Sequence, residues 1–168
     1  MVESVVELAR SNPEWVLVIA FVIAGAESII GVGALLPSTI IIVSLASLGG
    51  LAGQNLVVLW LAVGLGAWVG DWASYFMGYY FEKPLRRVWP LSRRPELLTT
   101  TRAFFDRWGV ASLFISRFVW AARSMVMFVA GVVRMPRVTF GVASLVSALL
   151  WAAVVLYPIS FAARWLFA

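Results

Sequence analysis

Cysteine and histidine are both absent from this 168-residue chain, and most metal and nucleophile chemistry goes with them. Without cysteine there is no disulfide framework, thiolate metal site or cysteine nucleophile. Without histidine the zinc proteases, the Ser-His-Asp hydrolases and the membrane phosphatases that use a histidine nucleophile are excluded as well. The remaining residues offer carboxylates but no nucleophile–base pair, so neither an enzyme, a metal site nor a cofactor is expected.

Charge is the next scarcity. Only 12% of residues are charged while 62% are hydrophobic, which departs from the usage of a water-facing globule. Nothing ionisable lies between Ser28 and Gly70, or again between Val138 and Ala163. As a helix rising about 1.5 Å per residue, the second run reaches roughly 39 Å, beyond the approximately 30 Å of a hydrocarbon core. The expected class is therefore an all-α, polytopic integral membrane protein forming one membrane domain over residues 1–168.

Residues 1–14 read as a surface segment. They carry Glu3, Glu7 and Arg10 in place of a signal peptide's basic start and small-residue cleavage site, so the segment is expected to be retained, with Trp15 as an interfacial anchor. Residues 15–81 form a first half. Within it, about 28–53 is uncharged and broken by Gly31, Gly33, Pro37, Gly49, Gly50 and Gly53, a density of breakers that predicts a re-entrant hairpin turning near Pro37. Leu56 to about Phe81 then reads as a full crossing.

Residues 82–108 are a basic loop. Seven of the thirteen basic residues, Lys83, Arg86, Arg87, Arg93, Arg94, Arg102 and Arg107, lie here, and the positive-inside rule places such a loop in the cytoplasm rather than on nucleic acid. Leu97 to Phe105 is expected to be an amphipathic surface helix. The second half, 109–163, holds a second expected re-entrant hairpin at about 110–133, flanked by basic residues on both sides, and then a crossing from Val138 to Ala163. Two such halves in opposite orientation make an inverted repeat, with a site where the broken segments meet near the midplane.

Four charges sit inside apolar segments: Glu27, Asp71, Arg117 and Arg123. On insertion scales each costs about 2.5–3.5 kcal/mol, so it must be paired or face water. One reading is mutual salt bridging that only fixes the bundle. Another is a binding site. Six residues of unbroken helix turn about 600°, leaving the two arginines roughly 120° apart, but a bend at Trp120, Ala121 and Ala122 would let them converge. Converging guanidiniums beside a helix end suit a phosphate or carboxylate, and desolvated Glu27 and Asp71 could exchange protons.

These residues carry a resemblance. The stretch 104–140, FFDRWGVASLFISRFVWAARSMVMFVAGVVRMPRVTF, is similar to the F-x-R-x-G, R-F-x-P-G-x-R and A-G-x-x-x-M sequence of the DedA family, also called the SNARE-associated or VTT-domain family. Phe105, Arg107, Gly109, Arg117, Phe118, Arg123, Ala130, Gly131, Met135 and Phe140 match. Gly70, Asp71, Tyr75 and Gly78 resemble its G-D-x-x-x-Y-x-x-G element, and Glu27 followed by Pro37 resembles its first re-entrant segment. The likeness runs from about Gly25 to Phe161. Two departures stand out: Pro37-Ser38-Thr39 replaces Pro-Gly-Glu or Pro-Gly-Asp at the first tip, and Trp120-Ala121 replaces Pro-Gly between the arginines. The acid that the family ties to proton coupling is thus replaced by Thr39.

The resemblance implies a transporter of the bacterial inner membrane that moves an anionic lipid, undecaprenyl phosphate or a phospholipid, between leaflets. Arg117 and Arg123 are expected to bind its headgroup, balanced by Glu27 and Asp71, while Pro37, Ser38, Thr39, Trp120 and Tyr75 shape the hairpin tips and pocket. The alternatives are a proton-coupled transporter of a small ion or drug and a non-transporting envelope scaffold. Gly31, Gly33, Gly49 and Gly50 would also permit close packing between copies, so a homodimer is among the expectations.

Overall fold

A computed structural model describes residues 11–29, 55–85, 96–119 and 123–167. Residues 1–10 of the N-terminal surface segment, most of the first expected hairpin with Pro37, Ser38 and Thr39, residues 86–95 of the basic loop, and Trp120 lie outside the described residues. Every element among the described residues is helical: α1 (Pro13–Ser28), α2 (Leu56–Leu85), α3 (Glu96–Trp108), α4 (Ala111–Ser116), α5 (Arg123–Val132) and α6 (Arg137–Phe167).

Local chemistry sets the ends. Pro13 opens α1, where its fixed φ and missing N–H cost nothing, with Glu14 in the first turn against the positive end of the helix dipole. The helix stops where Ile29 turns extended. Asn55 caps α2, its Oδ1 accepting from the Val57 N–H at 2.9 Å. This helix kinks at Phe81, whose backbone leaves the helical region, close to the expected end of the crossing. The amphipathic helix expected at 97–105 is α3, which runs on to Trp108 and ends at Gly109 in the left-handed region (φ 50°), the Gly109 N–H bonding the Phe105 carbonyl at 2.7 Å.

Among the described residues, two helices are long and apolar enough to cross a membrane, over Leu56–Phe81 and Arg137–Tyr157. Their outer faces are greasy. On α6 an i+4 stripe of Val138, Val142, Val146, Leu150 and Val154 is exposed, while Glu27, Asp71, Arg117 and Arg123 are buried. Polar groups inside and large apolar groups outside invert the pattern of a soluble domain, as a lipid solvent requires.

The inward faces form two apolar clusters. One joins Ala20 and Ala24 of α1, Leu59, Val63 and Ala67 of α2, and Ala148, Trp151 and Ala152 of α6. The other packs Tyr75 of α2 against α5 and against Phe140 and Ala143 of α6. Close approach depends on missing side chains: a β-carbon on Gly70 would collide with the Gly25 carbonyl, and one on Gly131 with the Tyr75 carbonyl. Gly66, Gly70, Ser74 and Gly78 recur every fourth residue, giving α2 one small-residue seam that receives α1 and then α5.

Within the stretch of the second expected hairpin, the described residues form two short helices, α4 and α5. The end of α5 explains the A-G-x-x-x-M sequence physically. Met135 N–H bonds the Ala130 carbonyl at 2.9 Å and Arg134 N–H the Gly131 carbonyl at 3.0 Å, with Arg134 at φ 55°. This is a Schellman C-cap with arginine in the position glycine usually takes. Gly131 then seats on α2, and Met135 O accepts the Tyr75 hydroxyl at 2.5 Å.

Candidate functional site

Between the two apolar clusters lies a polar layer. Asp71 sits on the α2 face between Ala67 and Tyr75, each four residues away, and Ser144 and Ser147 occupy the matching stretch of α6 between Ala143 and Ala148. Asp71 is ten residues from Phe81 and Ser147 ten from Arg137, so both lie about 15 Å beneath one boundary of the spans, near the midplane.

The four intramembrane charges meet in this layer. Arg117, the first residue after α4, pairs through Nη2 with Asp71 Oδ2. Its Nε donates to Ser147 Oγ at 2.8 Å and its Nη2 also reaches the Ser144 carbonyl at 3.3 Å. Arg123, the first residue of α5, pairs through Nη1 with Glu27 Oε1 at 3.4 Å and donates through Nη2 to Ser28 Oγ at 2.9 Å. Its guanidinium also lies 4.7 Å from the centre of the Trp151 ring.

The arrangement refines the expected geometry. Both arginines reach one layer, the bend expected at Trp120, Ala121 and Ala122 lying outside the described residues, and each is committed to an acid on a different helix, Arg117 to α2 and Arg123 to α1. In a low-dielectric interior such pairing is what makes the charges tolerable. Satisfaction is incomplete: among the described residues, Glu27 Oε2, Asp71 Oδ1 and Arg117 Nη1 find no hydrogen-bond partner. A guanidinium edge and two carboxylate oxygens are therefore left to interact with something else.

Tyr75 takes a different place. Its hydroxyl is occupied by the Met135 carbonyl, and its ring stacks 4.4 Å from Phe140, so it fastens α2 to the end of α5. Sequence reasoning missed Ser28, Ser144, Ser147 and Trp151. A signal existed for the last three: Ser144, Ser147 and Trp151 follow one another at three- and four-residue spacing on a single face of an otherwise apolar helix. Ser28 follows Glu27 directly, and its own carbonyl accepts the Ser74 hydroxyl at 2.8 Å, which pins the end of α1 to α2.

Comparison with known proteins agrees with this architecture. The family model described as VTT domain matches residues 36–161. The chain belongs to the VTT-domain, or DedA, family. Inner membrane protein YabI of Escherichia coli strain K12 is 32% identical over 80% of this chain and 53% of its own length. Protein DedA of the same strain is 30% identical over 86% of this chain and 68% of its own. An uncharacterized membrane protein of Buchnera aphidicola from Acyrthosiphon pisum is 28% identical over 84% and 56% respectively. The chain thus spans little more than half the length of several curated relatives that it matches. No solved structure matches it.

Proposed function

We propose that this VTT-domain protein translocates an anionic lipid, undecaprenyl phosphate or a phospholipid, between the leaflets of a bacterial inner membrane, with Arg117 and Arg123 receiving the phosphate. The observation that carries the reading is the buried cluster itself: two guanidiniums and two carboxylates at mid-depth, with one guanidinium edge and two carboxylate oxygens unpartnered among the described residues. Intramembrane charges of this kind mark transport pathways, and guanidinium forks suit phosphate oxygens.

The mechanism is an exchange of partners. An entering phosphate displaces Asp71 from Arg117 or Glu27 from Arg123. The four charges sum to zero, so a bound monoanion leaves the layer net negative, and one proton taken up by a released carboxylate restores neutrality. Arg117 follows the end of α4 and Arg123 opens α5, and with these two short helices read as the arms of a re-entrant hairpin the arginines shift without unwinding a spanning helix. The lipid tail stays in the bilayer beside the apolar outer faces.

The test is headgroup translocation in proteoliposomes. Arg117→Ala and Arg123→Ala abolish it while the protein remains inserted; normal rates in both would end the assignment. Saturable flux of a soluble ion without lipid movement would instead favour the ion or drug transporter.

A second reading has its own observation. Every charge in the layer has an opposite partner, as a purely structural lock for an envelope scaffold would. Replacing Asp71 and Arg117 together with apolar residues separates the two: a scaffold keeps its function and a transporter does not.

A further inference from the structure

An apolar groove lies away from the charge layer, on the outer seam between α2 and α6. It has a volume of about 350 Å³ and runs between Trp68 and Trp72 on one side and Val138, Val142 and Leu145 on the other, with Arg137 at its end. Its floor is built. The Trp68 indole N–H donates to the Gly141 carbonyl at 3.0 Å, and a β-carbon on Gly141 would press on the Trp72 ring at 2.9 Å. The indole's polar atom is thereby used up, leaving apolar walls.

Arg137 brings positive charge to the end of the groove, and it shares an aromatic ring with Arg134. The Arg137 guanidinium lies 5.5 Å from the centre of the Tyr79 ring and that of Arg134 lies 5.3 Å from the same ring. Two cations on one tyrosine repel each other, and among the described residues neither has an acidic partner. Arg134 moreover occupies a left-handed backbone position at φ 55°, where glycine would be easier by roughly 1 kcal/mol. Arg137 begins the span Arg137–Tyr157, so the pair stands at headgroup level, while Leu145 lies eight residues, about 12 Å, further into the hydrocarbon.

We propose that this seam binds one anionic phospholipid, its phosphate between Arg134 and Arg137 and an acyl chain in the groove between α2 and α6. Charge complementarity chooses the occupant: a basic couple at the interface without an acidic partner among the described residues, one member of which, Arg137, lines the end of an apolar groove that leads inward, matches the two ends of such a lipid. The site uses none of the four charges of the midplane layer and stands independently of the lipid-translocation reading.

Native mass spectrometry of the delipidated chain in detergent, titrated separately with phosphatidylglycerol and phosphatidylcholine, tests it. The wild type binds the first phosphatidylglycerol more tightly than phosphatidylcholine. Arg137→Gln and Arg134→Gly each reduce that preference about fivefold. Because glycine suits the backbone at 134, Arg134→Gly keeps or raises the melting temperature, so its lost preference reports a lost contact and not a lost fold. Val142→Trp fills the groove and weakens both lipids. Equal binding of the two lipids by the wild type, or an unaltered preference in Arg134→Gly, overturns the proposal.

Discussion

Arg117 and Ser147 are joined by a hydrogen bond of 2.8 Å from Nε to Oγ, and the same serine hydroxyl donates onward to the Leu113 carbonyl at 3.1 Å. One small side chain on α6 thus orients the guanidinium and ties down the helix that delivers it. Ser147→Ala leaves a buried Nε–H unsatisfied and is expected to cost about 1–3 kcal/mol, read as a lower melting temperature in detergent. Ser147→Thr keeps the hydroxyl and should lie nearer to wild type. Equal losses in the two variants would mean that packing, not the hydrogen bond, sets the effect.

The Arg117–Asp71 pair is buried at both ends. Removing one partner strands a charge, so Asp71→Leu and Arg117→Met are each expected to destabilise by about 3–5 kcal/mol, while the double variant recovers most of that loss. Translocation should be lost in all three. A double-mutant cycle on thermal unfolding in detergent, run beside the proteoliposome assay, checks both parts. Additive single losses would show that the two residues do not act as a pair.

Glycines at 70 and 131 predict a contrast with the glycine at 109. Alanine at Gly70 or Gly131 meets a backbone carbonyl that cannot swing aside, whereas alanine at Gly109 meets open space and only a left-handed backbone. Gly70→Ala and Gly131→Ala are expected to cost about 1–3 kcal/mol through forced helix separation, and Gly109→Ala about 1 kcal/mol. Gly70→Ala should also impair translocation, because it moves Glu27 and Ser28 away from Asp71. Unfolding midpoints of the three variants decide the order.

Much of this was legible in the sequence. The apolar stretch from Leu56 to about Phe81 and the uncharged run from Val138 both coincide with membrane-capable helices, because exclusion of charge from hydrocarbon is a strong constraint. The four charges out of place located the midplane layer for the same reason. Which arginine meets which acid was not legible: Arg117 and Asp71 are distant in the chain, and only the packing of α4 against Ser147 of α6, and of α6 against α2, aligns them. The partner of Tyr75 was not legible either, because its motif position says nothing of the Met135 carbonyl that takes its hydroxyl. The serines escape notice because a buried serine in a membrane helix usually bonds its own helix backbone, as Ser28 does with Ala24, and only the shared face of Ser144, Ser147 and Trp151 sets two of them apart.

Trp151 supplies the last prediction. It is 6% exposed, and its ring faces the Arg123 guanidinium at 4.7 Å, so one face of that cation is stabilised by π electrons rather than by an oxygen. A desolvated contact of this kind contributes about 2 kcal/mol, strongest for tryptophan among the aromatic residues. Trp151→Phe keeps a ring with a weaker quadrupole and a smaller reach, and Trp151→Leu keeps only apolar volume. Stability in detergent should fall in the order Trp, Phe, Leu, with translocation following it, because an Arg123 that loses the ring leans harder on Glu27 and gives it up less readily to an incoming phosphate. If Phe and Leu behave alike, the ring face is not holding the charge, and Trp151 fills space as the other core residues do.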